Sequence, residues 1–115
     1  IPLPPPPPPT PGMCVRALSG EFQGLELEIG AEPVTFGRDP NIRGLVFMAD
    51  ESMGISKRHC ELAYDGQRQV VTIVDLNSSN GTFVGGTRVP AFSRRDLRPG
   101  ERFTLGSSEF EVTGR

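Results

Sequence analysis

Ile55-Ser56-Lys57-Arg58-His59-Cys60-Glu61-Leu62-Ala63-Tyr64, then Asp65-Gly66, then Gln69-Val70-Val71-Thr72-Ile73-Val74-Asp75-Leu76: these residues decide the fold class. Within 59–64, Cys60, Leu62 and Tyr64 share alternation parity and so face a core. Residues 69–76 carry Val and Ile on both faces, the pattern of an interior strand. Asp65-Gly66 between the two runs is a hairpin signal, because glycine readily takes positive φ. The polar turn 55–59 holds the only histidine and opens directly into the first run.

Working outward, the same texture continues from residue 13 to the end: short strand-like runs divided by Gly, Asp, Asn and Pro, with no window of 3.6-residue periodicity. Upstream runs are 13–18, 25–29, 34–36 and 45–48. In the second, Leu25, Leu27 and Ile29 alternate with Glu26 and Glu28. Pro40 stops the third run by removing a donor and by biasing Asp39 away from helix. Downstream runs are 82–84, 87–89, 102–105 and 109–113, with turns at Gly85-Gly86 and Pro99-Gly100. Ten or eleven short strands at this spacing predict an all-β sandwich of two sheets.

The first eleven residues have a different character, holding eight of the twelve prolines (Pro2, Pro4 to Pro9 and Pro11). Such a run lacks backbone donors and favours polyproline II, so residues 1–12 are expected to form a disordered, semi-rigid linker of roughly 3 Å per residue. The competing reading, a PxxP docking peptide, requires nothing beyond spacing that any proline run contains. The expected organisation is a linker over 1–12 and one domain over 13–115. With 115 residues and 36% hydrophobic side chains, the chain supports one modest core and no second domain.

Composition also narrows function. A net charge of −2 gives no footprint for nonspecific nucleic-acid binding, which usually shows as a strongly basic face, and leaves room only for a local basic patch. No run approaches the ~20 apolar residues of a membrane-spanning helix, so direct membrane contact is not expected either. Ile1 in place of Met, with no charged segment ahead of an apolar one, reads as a piece of a longer protein without a signal peptide of its own. The expected location is cytoplasmic, or the cytoplasmic side of a membrane-associated parent. Cys60 faces the core while Cys14 shares parity with Arg16, so both are expected to be reduced. Two cysteines and one histidine fall short of a zinc set, and no metal or cofactor is implied.

Catalysis is the sharpest alternative. Ser56 and His59 suggest a nucleophile and base, but at that spacing, with His59 entering a strand, the side chains have no reason to meet, and an orienting carboxylate is missing. Gly85-Gly86 opens no helix and makes no nucleotide loop. Phosphate binding fits better: a phosphate monoester, with about −1.5 to −2 charge and three acceptor oxygens, needs a guanidinium, hydroxyls and free N–H groups on irregular chain. Three breaks between runs offer them: Gly37-Arg38-Asp39, Ser56-Lys57, and Ser79-Asn80. Each has a plainer role available. Arg38 pairs equally well with Asp39 or solvent, Ser56 suits the cap of a helical turn at 57–59, and Asn80-Gly81 suits a hairpin.

Taken in order, Gly37-Arg38, Ser56-Lys57-Arg58-His59 and Asp75-Leu76-Asn77-Ser78-Ser79-Asn80-Gly81-Thr82-Phe83-Val84 resemble the forkhead-associated (FHA) domain family. The resemblance extends over nearly all of residues 13–114, and Leu97-Arg98-Pro99-Gly100-Glu101-Arg102-Phe103 is similar to that family's late hairpin. It implies an eleven-stranded β-sandwich of the FHA/SMAD-like class, monomeric and non-catalytic, that recognises phosphothreonine in partner proteins through loops at one end. By position, it gives Arg38 and Ser56 to the phosphate, Lys57 to the phosphate or peptide, Asn80 to the peptide backbone and Ser79 to a place beside the phosphothreonine. Gly37, His59 and Gly81 would shape the loops.

Two departures stand out. Gly85 replaces a frequent asparagine that braces a loop, and Lys57 replaces arginine or asparagine, exchanging a planar contact for a flexible point charge. Asp50 and Glu51, just ahead of Ser56, would favour basic residues flanking the phosphothreonine. The expected partner is a threonine-phosphorylated protein or peptide, in trans or within the same full-length chain. The alternative function is a phosphate-independent assembly or docking sandwich.

Overall fold

The computed structural model describes residues 13–48 and 54–114; the proline-rich segment 1–12 and the acidic pair Asp50 and Glu51 lie outside the described residues. Eleven strands and no helix appear among them: β1 (Met13–Ala17), β2 (Glu26–Ile29), β3 (Val34–Gly37), β4 (Gly44–Val46), β5 (Cys60–Asp65), β6 (Val70–Asp75), β7 (Thr82–Val84), β8 (Thr87–Arg88), β9 (Arg94–Leu97), β10 (Arg102–Leu105) and β11 (Ser108–Thr113). They form a six-stranded sheet ordered β2-β1-β11-β10-β7-β8 and a five-stranded sheet ordered β4-β3-β5-β6-β9.

The two sheets close on an aromatic core. Phe36 from β3 meets Phe110 from β11 at 5.3 Å between centroids, and Phe103 from β10 stacks on Phe110 at 5.2 Å. Phe47, just past β4, packs edge-on against Phe22 and Phe110. Phe36, Phe47, Phe103 and Phe110 are all at most 1% exposed. Each such burial is worth roughly 1.5–3 kcal/mol relative to exposure. The strand that leads into Arg38 is thus held by the deepest part of the core.

Topology, more than loop length, brings the loops together. A simple meander places successive turns at opposite ends, but β4 lies parallel to β3, with Thr35 opposite Gly44 and Gly37 opposite Val46. Antiparallel pairing of β5 with β3 and of β6 with β5 then follows. The carboxyl ends of β3, β4 and β6 and the start of β5 consequently share one end of the sandwich. Parallel neighbours ordinarily need a crossover of a dozen or more residues. Here β4 is only three residues long. The six residues 38–43 therefore span the return, at about 3.3 Å each. The close return makes glycine necessary at position 44, where a Cβ would sit 2.0 Å from the Thr35 carbonyl oxygen.

Two local expectations are corrected or decided by this topology. The β5–β6 hairpin has the four-residue loop 66–69, and its positive φ belongs to Gln69 (55°), not Gly66. Asp65 Oδ1 accepts the N–H groups of Gln67 and Arg68, which turns the chain before it reaches the end of the loop. Asn80-Gly81 is no hairpin turn: β6 and β7 belong to different sheets, and residues 76–81 cross between them. Gly85-Gly86 is the hairpin, with φ of 57° and 85° in the two-residue link from β7 to β8, which glycine accommodates without strain.

Candidate functional site

Backbone pairing first draws two loops together. Arg38 N–H donates to the Ser56 carbonyl (3.2 Å) and Asp39 N–H to the Lys57 carbonyl (3.1 Å). Position 37 has to be glycine for this approach, since a Cβ there would lie 2.0 Å from the Lys57 carbonyl oxygen. Arg38 Nε donates to the Ile55 carbonyl, so the guanidinium is anchored at its base. No carboxylate pairs with Arg38 among the described residues. Asp39 instead lies 3.5 Å from Arg58 Nε, which gives Arg58 its place in the loop. The Asn41 N–H, and then Arg58, hold the Asp39 carboxyl below the ordinary carboxylate range.

His59 joins the second loop to the third. It is fully buried, its Nδ1 accepts the Ser56 N–H (3.1 Å), and its Nε2 faces the Gly81 carbonyl at 2.9 Å. A backbone N–H can only donate, so Nδ1 must be bare and Nε2 must carry the proton that goes to Gly81. The bridge therefore requires the neutral ring. Burial, the largest influence, pushes the imidazole pKa below 6.5, against an opposing pull from the Gly81 carbonyl and Asp75.

This wiring leaves Ser56 and His59 out of nucleophile–base contact. The imidazole takes the backbone N–H of Ser56, whereas its hydroxyl oxygen accepts the Ser79 N–H at 3.0 Å. Because that hydroxyl is used as an acceptor, its own proton stays available to a ligand. Ser79 and Asn80 are exposed on the third loop. The Asn80 amide nitrogen lies 3.5 Å from where a Cβ on Gly54 would be, which brings it beside the start of the second loop. Lys57 is exposed and makes no ion pair among the described residues. Arg38, Ser56, Lys57, Ser79 and Asn80 thus gather at one end of the sandwich. Gly37, His59 and Gly81 sit in the joints between their loops.

Sequence reasoning missed the group that shapes the third loop. Asp75, 2% exposed, accepts the Ser78 hydroxyl and the Thr82 hydroxyl (2.8 Å) on Oδ1 and the Ser78 N–H (3.1 Å) on Oδ2. Ser78 Oγ in turn accepts the Gly81 N–H at 3.1 Å. One signal was present in the sequence: Asp75 shares strand parity with Val71 and Ile73 and is therefore directed at the core. A carboxylate there must be compensated by donors. Directly opposite it on β5, Cys60 is fully buried and unpaired. Burial pushes its thiol pKa far up. Cys14 is also free and half-buried.

Residues 34–106 match the family model of the FHA domain. The chain is 34% identical over 93 residues to the FHA domain-containing protein FhaA of Mycobacterium tuberculosis, an alignment covering 81% of this chain and 16% of that protein. It therefore spans about one sixth of the length of that relative. In fold it is similar to the FHA domain of the CT664 protein from Chlamydia trachomatis, with a TM-score of 0.77 and 24% identity over 91% of this chain and 99% of that one. It is also similar to a chain solved in a structural and functional analysis of phosphothreonine-dependent FHA domain interactions, with a TM-score of 0.69 and 28% identity over 91% and 98% of the two chains.

Proposed function

Since this chain belongs to the FHA domain family, we propose that it is a non-catalytic module that binds a threonine-phosphorylated segment of a protein, in trans or elsewhere in its own full-length chain. One observation carries the reading. The two groups that would face the phosphate are held in place by bonds that leave further donors free: the Arg38 side chain is anchored through Nε and pairs with no carboxylate among the described residues, and the Ser56 hydroxyl is anchored as an acceptor. The terminal guanidinium nitrogens and the Ser56 O–H proton are left to meet a dianionic oxygen cluster, with Lys57 adding a mobile positive charge. Asn80 supplies an amide for the peptide backbone, and Ser79 flanks the phosphorylated side chain.

Such preorganisation lowers the ordering cost of binding. A partner within the same chain would gain further from a high effective concentration, on the order of millimolar for a short linker. The direct test is calorimetry with a peptide prepared with threonine and with phosphothreonine. Binding that depends on the phosphate is expected; equal affinity for the two forms would overturn the reading in favour of a phosphate-independent docking domain.

A further inference from the structure

A cleft of about 370 Å³ lies beside the third recognition loop, where the two sheets part between edge strands β8 and β9. Three arginines line it, Arg88, Arg94 and Arg95, together with the apolar walls of Val84, Val89 and Pro90, and no carboxylate is among its lining groups. Arg95 reaches Glu101 at 3.6 Å, whereas Arg88 and Arg94 make no ion pair among the described residues. One end of the cleft touches the recognition loops. The Arg88 side chain lies across Gly81, its Nε 2.7 Å from where a Cβ would be. Arg94 sits opposite Val74, and Arg95 opposite Ile73, so the cleft runs from the loop end back along the sandwich. At its rim Phe92, 69% exposed, is held at a φ of 60° with its N–H on the Asp75 carbonyl. That conformation is an outlier for a bulky residue.

We infer that this cleft binds an acidic stretch of the phosphorylated partner, a few residues along from the phosphothreonine. The inference rests on the phosphothreonine reading for its anchor and on charge complementarity for its ligand. Exposed arginines on an edge strand also discourage strand-to-strand aggregation. That role alone would not require a cationic hollow continuous with a recognition loop. Apolar walls keep solvent from part of each ion pair, and steering by three like charges speeds encounter with a polyanionic segment. From Gly81 outward, an extended peptide gains about 3.3 Å per residue, so carboxylates about three to six residues from the phosphothreonine reach Arg88, Arg94 and Arg95.

The test uses the whole chain and six peptides: threonine or phosphothreonine, each with a neutral flank, with three glutamates at that separation on the N-terminal side, or with three on the C-terminal side. For one placement, the glutamates are expected to tighten phosphopeptide binding about fivefold or more at low salt. The gain should disappear in the Arg94→Gln/Arg95→Gln variant, which leaves the phosphate loops untouched and should bind the neutral phosphopeptide as before. Equal affinities for neutral and acidic phosphopeptides would overturn the inference while leaving the phosphothreonine reading intact. If neither phosphopeptide binds, that reading has failed, and amide shifts on titrating the unphosphorylated acidic peptide decide the cleft. Shifts confined to β8 and β9 support it; none, or shifts scattered over the exposed arginines, overturn it. A single-stranded oligonucleotide that reproduces the same shifts would overturn the assignment to peptide.

Discussion

The recognition loops and the β8–β9 cleft are both cationic and meet at Gly81, yet they hold their charges differently. In the loops, nearly every joint is a directed hydrogen bond: Arg38 to Ile55, Ser79 to Ser56, and Ser56 and Gly81 to the two nitrogens of one buried imidazole. In the cleft, arginines stand on exposed strand positions, with one long ion pair among the three within the described residues. The first arrangement fixes geometry and suits a small, highly charged ligand whose oxygens must be met at set distances. The second fixes only the sign of the charge, which suits a ligand that is acidic without a defined shape.

The largest effect should come from breaking the joint that the two regions share. The Asp75 side chain organises the third loop, while its backbone carbonyl receives the Phe92 N–H at the rim of the cleft. Asp75→Ala strands two hydroxyls and an N–H in the interior and should cost on the order of 3 kcal/mol of unfolding free energy, measurable by urea denaturation. Asp75→Asn, which keeps an acceptor oxygen, should cost less. If the alanine variant unfolds at the midpoint of the parent, the buried network is not what shapes the loop.

Next in size is Arg38→Ala, which separates the regions by affinity. Losing a charge-assisted contact of about 1.5–3 kcal/mol should weaken phosphopeptide binding roughly ten- to more than hundredfold by calorimetry, with little change in stability. The increment from distant glutamates should survive as a ratio, because Arg88, Arg94 and Arg95 are unaltered. A variant that loses both together would show that the cleft has no independent hold on the ligand.

The same contrast governs what could be read in the sequence. Strands β5 and β6 were legible because their apolar residues repeat at the strand period, and the three loop motifs were legible because glycine, proline and asparagine interrupt that period. Strand β9 was not. In Arg94-Arg95-Asp96-Leu97 only Leu97 is buried, and an edge strand with solvent on most of its surface leaves no apolar alternation to detect. The parallel β3–β4 pairing was hidden as well, since hydrogen-bond direction carries no compositional mark. Asp75 lay in plain view at a core-facing position, but its donors come from Ser78 and Thr82 across a loop whose path depends on the two-sheet topology. The loops could thus be found by motif, while both their convergence and the neighbouring cleft required the fold.

Acid provides the smallest of these effects and the one that best separates the regions. In the unfolded chain an imidazole takes up its proton as the pH falls through about 6.5, whereas buried His59 resists it to lower pH. Below 6.5 the unfolded state therefore binds the proton first, and stability drops by no more than about 1.4 kcal/mol per pH unit; above 6.5 this group contributes no further slope. Thermal melts of the free chain between pH 7.5 and 5.5 should show that loss, and a phenylalanine at position 59 should abolish the slope while lowering stability throughout, because Ser56 N–H and the Gly81 carbonyl lose their partner. Phosphopeptide affinity should fall over the same range for an added reason, since the phosphate's second pKa is near 6 and the dianion is partly protonated. The peptide glutamates that would occupy the cleft stay ionised to about pH 4.3. At pH 5.5 the phosphate-dependent part of binding should therefore weaken while the acidic increment holds. A parallel decline of the two would mean that the arginines of the cleft act only through the loops that His59 holds together.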